Sequence, residues 1–295
     1  MSDADSRKLF DSLLASARRL SFDPRQARLQ ESAPSDGRQY GMTPEWSPLF
    51  GTPIWQSLSE TDRARLTRRE VTHFLGVAIW LELSLQVALL RLNYSTPPNR
   101  PDMQFLLNEC ADENMHSLMF VGAIDQLGTD LYELDRSTRF FGWMFRMLAW
   151  EEVAYGVVLA GEEIFDVMQR DWMATDGVAE VVRKTSYIHV VEESRHMAFA
   201  RRKVSDRMAA ASALRRWVST VLIAIGAHVV AKALINRQVY EGAELDWTAV
   251  KASIDSNEHH KMMFRTATAA FIDFQQKARL MNRTAHWIYR KSNLA

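Results

Sequence analysis

From Phe74 to Leu92 the chain reads FLGVAIWLELSLQVALLRL, a helix-forming run that is apolar on nearly every side. A helix of that kind has no face to offer to water, so other helices must surround it. One carboxylate, Glu82, sits in its middle. An unpaired carboxylate in such a place costs several kcal/mol, so Glu82 needs a proton, an arginine from elsewhere in the chain or a bound cation.

The rest of the chain supplies the surrounding helices. No stretch shows the period-two alternation of a half-buried strand. A short amphipathic N-terminal helix is followed by an irregular segment, roughly 22–56, holding Pro24, Pro34, Pro44, Pro48 and Pro53. Ser59 followed by Asp62 reads as a helix start, and that helix should run to about Leu92, before Thr96-Pro97-Pro98. A second long helix is expected from near Pro101 to Gly128, a third over roughly 138–172 and a fourth over about 178–207. Further helices should occupy about 209–238 and 247–290, the last of them broken. This organisation predicts an all-α chain forming one domain over 1–295: an N-terminal extension (1–56), a four-helix core (roughly 57–240) and C-terminal helices (241–295).

Composition removes several function classes. Hydrophobic residues are 47%, charged residues 24% and the formal net charge is zero, which announces neither nucleic acid nor a membrane surface. The single cysteine, Cys110, excludes an internal disulfide, a cysteine-based zinc site and an iron–sulfur cluster, and fits the cytoplasm. The start MSDADSRKLFDSLL lacks the features of a signal peptide. The run Trp217–Ile235 approaches membrane-spanning length, but it contains His228 and Lys232 and follows Arg215–Arg216. We read it as a buried bundle helix and the chain as soluble.

The chemistry concentrates on the long helices. The second carries Glu109, Glu113 and His116 in NECADENMHSLMF, with Glu113 and His116 on one face. The fourth carries His189, Glu193 and His196 in YIHVVEESRHMAF, all projecting to the same side. A Glu-x-x-His pair alone arises easily by chance; two on separate helices, with Glu82 on the first helix and Glu162–Glu163 on the third, do not. One Glu, Glu-x-x-His, one Glu, Glu-x-x-His on successive helices is the ligand arithmetic of a carboxylate-bridged di-iron or di-manganese bundle, and makes a ferritin-like core the expected fold. Metal-bound imidazoles usually donate their other N–H to a carboxylate. Asp112 is placed to serve His196, and Glu192 to serve His116. His189, one turn before Glu193, faces the same ion and is expected to bind it. Helical phase does not choose between Glu162 and Glu163.

At these residues the chain resembles the p-aminobenzoate N-oxygenase family of non-haem di-iron enzymes. IHVVEESRHMAFAR (188–201), EEIFDVMQRDWM (162–173) and ADENMHSLMF (111–120) carry the likeness, and FGTPIWQSLSETDRARLTRRE (50–70) also looks like that family's opening segment. The resemblance spans roughly 40–240. It implies seven ligands: Glu82, Glu113, His116, Glu162, His189, Glu193 and His196. Glu162 is preferred because it keeps the family's spacing of 27 residues to the extra histidine, which leaves Glu163 behind the ligands.

The implied function is oxidation of an amine, most simply an aromatic one, by dioxygen at two iron ions, with electrons from a separate reductase. Three histidines favour iron over manganese. Two other readings fit the same ligands: a di-iron oxygenase or desaturase acting on carbon, and a non-catalytic ferritin-like metal-binding protein. His189 argues against the first, and the lack of an acidic run against the second. A homodimer is the common state of bundles of this size. Tyr155 reads as a core residue, Cys110 as an inert buried thiol, and Asp255, His259 and His260 as a solvated helix face.

Overall fold

A computed structural model describes residues 3–20, 22 and 38–295 of the chain. The expectation of an irregular segment over 22–56 falls partly outside these residues. The order begins with α1 (Asp3–Ala17), a 3-10 turn at Pro44–Trp46 and α2 (Pro53–Ser57). It continues with α3 (Glu60–Asn93), α4 (Pro101–Leu127), α5 (Arg136–Leu148), α6 (Glu151–Ala174) and α7 (Glu180–Ala210). The C-terminal helices are α8 (Ala213–Ala233), α9 (Arg237–Glu241), α10 (Trp247–Ser256), α11 (Glu258–Lys277) and α12 (Arg283–Lys291). Among the described residues strand-like pairing is confined to one isolated bridge, Tyr40 with Val178. The fold is an all-α, ferritin-like bundle.

The core is a square of four helices: α3 packs on α4, α6 on α7, α3 on α6 and α4 on α7. The apolar run of α3 is its buried side, with Phe74, Leu75, Ala78, Leu81, Leu85 and Leu89 each 3% exposed or less. Helix α6 is sealed by its own neighbours, α8 and α11, while α1 lies across α4 and α7. Gly161 lets α6 approach α3, because a Cβ there would meet Leu81 Cδ2 at 2.5 Å. That contact lies next to both Glu82 and Glu162. Two helical stretches, Glu60–Asn93 and Ala213–Glu241, are long and apolar enough to cross a membrane by length and composition; 67% and 50% of their apolar windows are buried by other parts of the protein.

Local signals account for most boundaries. At the start of α3, the Asp62 N–H donates to Ser59 Oγ (3.2 Å) while Ser59 Oγ–H donates to Asp62 Oδ2 (2.6 Å), the expected reciprocal cap. Helix α4 stops at Gly128, whose φ of 62° suits a left-handed terminal residue. The expected single helix over 138–172 is instead two. Ala149 and Trp150 are extended, although neither is a helix breaker. The cause is tertiary: Arg91 on α3 donates to the carbonyls of Arg146 (2.9 Å) and Ala149, and the Trp150 indole N–H donates to Ser219 Oγ (2.9 Å). The expected helix over 209–238 ends at Ala233, with α9 restarting on an Asn236 cap, and Asp246, Asn257 and Asn282 begin α10, α11 and α12.

Glu70, on the N-terminal half of α3, is buried away from Glu82 and accepts a hydrogen bond from Ser47 Oγ (3.0 Å). Burial pushes its carboxyl from 4.5 up to about 8, so the folded chain keeps a proton that the unfolded chain loses. Such a group makes stability fall as pH rises between those two values. Glu70→Gln should therefore gain stability relative to the parent between pH 5 and 8, by a few kcal/mol at about 1.4 kcal/mol per pKa unit. Urea melts across that pH range are the check, and a pH-independent difference would remove the buried acid from the account.

Candidate metal centre

Helices α4 and α7 run antiparallel and present facing ladders: Glu109, Glu113 and His116 on one, His189, Glu193 and His196 on the other. The His116 and His189 rings lie 4.8 Å apart between centroids at one end. The His116 and His196 Nδ1 atoms turn inward. His116 Nδ1 lies 3.1 Å from Glu113 Oε2 and 3.3 Å from Glu193 Oε1, and His196 Nδ1 lies 3.3 Å from Glu113 Oε1 and 2.9 Å from Glu193 Oε1. Glu113 and Glu193 are thus shared by both imidazoles, where bridging carboxylates would stand. Helices α3 and α6 close the sides. His189 Nε2 lies 3.8 Å from Glu82 Oε1, 3.9 Å from Glu162 Oε2 and 3.8 Å from Glu193 Oε1.

All seven expected ligands are brought together, and none is more than 4% exposed. Together with Glu109 they form overlapping groups of three whose donor atoms lie within 4.8 Å of one another. Glu163 turns away and pairs with Arg201, whereas Glu162 faces the other donors. Six buried atoms of this cluster, Glu82 Oε1, Glu109 Oε2, Glu162 Oε2, His189 Nε2, Glu193 Oε2 and His196 Nε2, have no hydrogen-bond partner among the described residues. Buried polar atoms are rarely left so. Two divalent ions would satisfy those that face inward, and the donor set of carboxylates and imidazoles suits iron or manganese.

The outward imidazole atoms have their own carboxylates, crossed between helices. His116 Nε2–H donates to Glu192 Oε2 (2.8 Å), and His196 Nε2 lies 3.4 Å from Asp112 Oδ2. Sequence reasoning missed two further supports. His189 Nδ1–H donates to Gln169 Oε1 on α6 (2.6 Å), which leaves the Nε2 lone pair pointing inward. Arg195, 5% exposed, stands between Asp112 (3.6 Å) and Glu192 (3.7 Å) and offsets both charges. Gln169 had no signal except its position one turn and a half beyond Glu163. Arg195 lies between two expected site residues and was open to the same reasoning. Elsewhere, Tyr155 is core, edge-on to Phe199 at 5.6 Å. Burial pushes the Cys110 thiol up to about 12, which keeps it protonated. Asp255 pairs with Lys251 and His259 faces the Glu45 carbonyl at 3.0 Å; His260, expected on the same solvated face, is instead buried against Phe264 at 4.8 Å, and none of the three joins a metal-capable group among the described residues.

Without a metal, protons balance the buried acids. Burial, and then Glu113, push Glu82 well above the carboxylate range; burial, and then Glu193, do the same for Glu162. Burial would also raise Glu193, but His196, His116 and His189 hold it well below that range. His116 and His196 are raised well above 6.5 because their carboxylate partners outweigh burial. Burial takes His189 the other way, to about 4, so it is a neutral imidazole at pH 7. Ligands must be deprotonated to bind. Uptake of a divalent ion should therefore release protons, and apparent affinity should rise with pH. Calorimetry in buffers of different ionisation enthalpy is the check; a buffer-independent heat would contradict this charge assignment.

Comparison with known proteins bears on the whole arrangement. Two curated relatives are an uncharacterized protein of Mycobacterium bovis and one of Mycobacterium tuberculosis. Each is 26% identical over 193 residues, covering 64% of this chain and 57% of the relative. The chain thus spans a little over half the length of these relatives. The family described as P-aminobenzoate N-oxygenase AurF matches residues 3–279, a span that takes in all four helices of the square. The chain belongs to the p-aminobenzoate N-oxygenase AurF family.

Proposed function

We propose that this chain is a di-iron oxygenase that uses dioxygen to oxidise the nitrogen of an amine, an aromatic one by the family's chemistry, with electrons from a separate reductase. The observation that carries the reading is the set of unpartnered donor atoms on five of seven buried, converging candidate ligands. Two bound iron ions would supply dioxygen activation there. The protein's own part is positional. Gln169 holds the tautomer of His189 that presents Nε2 to the interior, Glu192 holds His116 with Nδ1 inward, and Asp112 stands 3.4 Å from His196 Nε2. Phe120, 5.1 Å from His189, and Phe105, 6.2 Å from His196, cover the imidazoles and keep bulk water off the site.

An open surface cleft of about 680 Å³ lies on the outer side of α7, with Phe22, Met173, Tyr187 and Ile188 as its apolar lining and Glu180, Arg183 and Lys184 as its charged lining. Its size suits a small aromatic molecule, and it is our candidate for the amine's route inward. Helices α3, α4 and α5 also expose an apolar surface, Leu83, Val87, Leu90, Leu118, Val121 and Trp143, each between 43% and 60% exposed. Patches of this kind mark contacts between proteins, and they support a homodimer. Sedimentation at micromolar concentration should give twice the chain's mass; a monomer would remove this part of the proposal.

The main test is reconstitution with ferrous iron under anaerobic conditions, then mixing with oxygenated buffer and p-aminobenzoate, a chemical reductant and mass spectrometry of the product. We expect two irons per chain, hydroxylamino or nitro product, and loss of at least about tenfold in iron affinity in His189→Ala. Two bound irons with a panel of arylamines recovered unchanged would keep the metal centre and sink amine oxidation. A chain that takes up no iron would sink both.

A further inference from the structure

The seven ligands use every rung of the two facing ladders but one. On α7 the rungs His189, Glu193 and His196 stand four and three residues apart; on α4, Glu109, Glu113 and His116 repeat the same offsets. Because the helices are antiparallel, the ladders are related by an approximate two-fold axis through the Glu113–Glu193 pair. His189 meets His116 at one end, and Glu109 meets His196 at the other. Glu109 therefore occupies, at the His196 end, the place that His189 occupies at the His116 end.

Its surroundings fit a donor. Glu109 is 2% exposed, and its Oε2 has no hydrogen-bond partner among the described residues. One of its carboxylate oxygens, a Glu113 oxygen and a His196 ring nitrogen lie within 4.8 Å of one another. A leucine would fill this position in a dry helix interface with none of the several kcal/mol that a buried, unpaired carboxyl costs. A proton would relieve that penalty, as it does for Glu70, but Glu109 differs from Glu70 in facing two candidate ligands, Glu113 and His196, and that grouping favours a cation.

We propose that Glu109 is an eighth protein donor, binding the metal ion at the His196 end of the site. The proposal rests on the metal-centre reading. It makes the two ends chemically unequal: the added donor is a neutral imidazole at one and an anionic oxygen at the other. Harder cations favour the oxygen-rich end.

Cobalt(II) titration of the metal-free protein tests this, because its visible spectrum reports coordination number independently of turnover. The parent protein should bind two ions. Glu109→Gln, equal in size and without the anionic donor, should weaken one of the two by at least about tenfold and change the visible spectrum of that ion alone. Two ions with parental affinities and spectrum would overturn the proposal, as would weaker binding with an unchanged spectrum, which places Glu109 outside the coordination sphere. A parent protein that binds no ion overturns the underlying reading instead. If circular dichroism shows Glu109→Gln unfolded, a crystal structure of the parent protein with manganese(II) decides: a Glu109 oxygen bonded to the ion supports the proposal, and one turned away from it overturns it.

Discussion

The organisation of this protein depends on putting like charges together where water cannot separate them. Glu82, Glu113, Glu162 and Glu193 converge in an interior where each is 4% exposed or less. In a medium of low dielectric their mutual repulsion is large, so that positive charge has to arrive with them. The imidazoles of His116 and His196 supply part of it, Arg195 supplies more from behind, and divalent ions would complete it. The length of the helices, their antiparallel pairing and the apolar shell of α1, α8 and α11 all serve to hold those donors within reach of one another. The shell matters as much as the donors: a wet site would disperse the charges and remove the reason for a cation to bind.

Much of this was legible in the chain. The all-round apolarity of Phe74–Leu92 with a lone carboxylate required a bundle, and a proton or a countercharge for Glu82. The i, i+4, i+7 spacing on α7 put His189 on the ligand face, and the crossed pairing of Asp112 and Glu192 followed from antiparallel packing. What stayed hidden was set by contacts between distant residues. Helical phase could not separate Glu162 from Glu163, because adjacent positions on α6 can both face neighbouring helices; Arg201, on α7, takes one of them. Nothing local marks Gln169 as the partner of His189. The break at Ala149–Trp150 has no glycine or proline to announce it, since Arg91 and Ser219 hold it from other helices.

The crossed arrangement behind the imidazoles has a further consequence. Asp112 sits beside Glu113 on α4 yet faces His196 on α7, and Glu192 sits beside Glu193 on α7 yet faces His116 on α4. Each helix carries half of its own coordination apparatus and half of its neighbour's. A slip of one helix by a single residue would turn both imidazoles loose together, leaving no partly correct register that still grips an ion well. The site would therefore work as a two-key lock on assembly: a metal ion would be gripped only when both helices have docked correctly, so its uptake would proofread the fold.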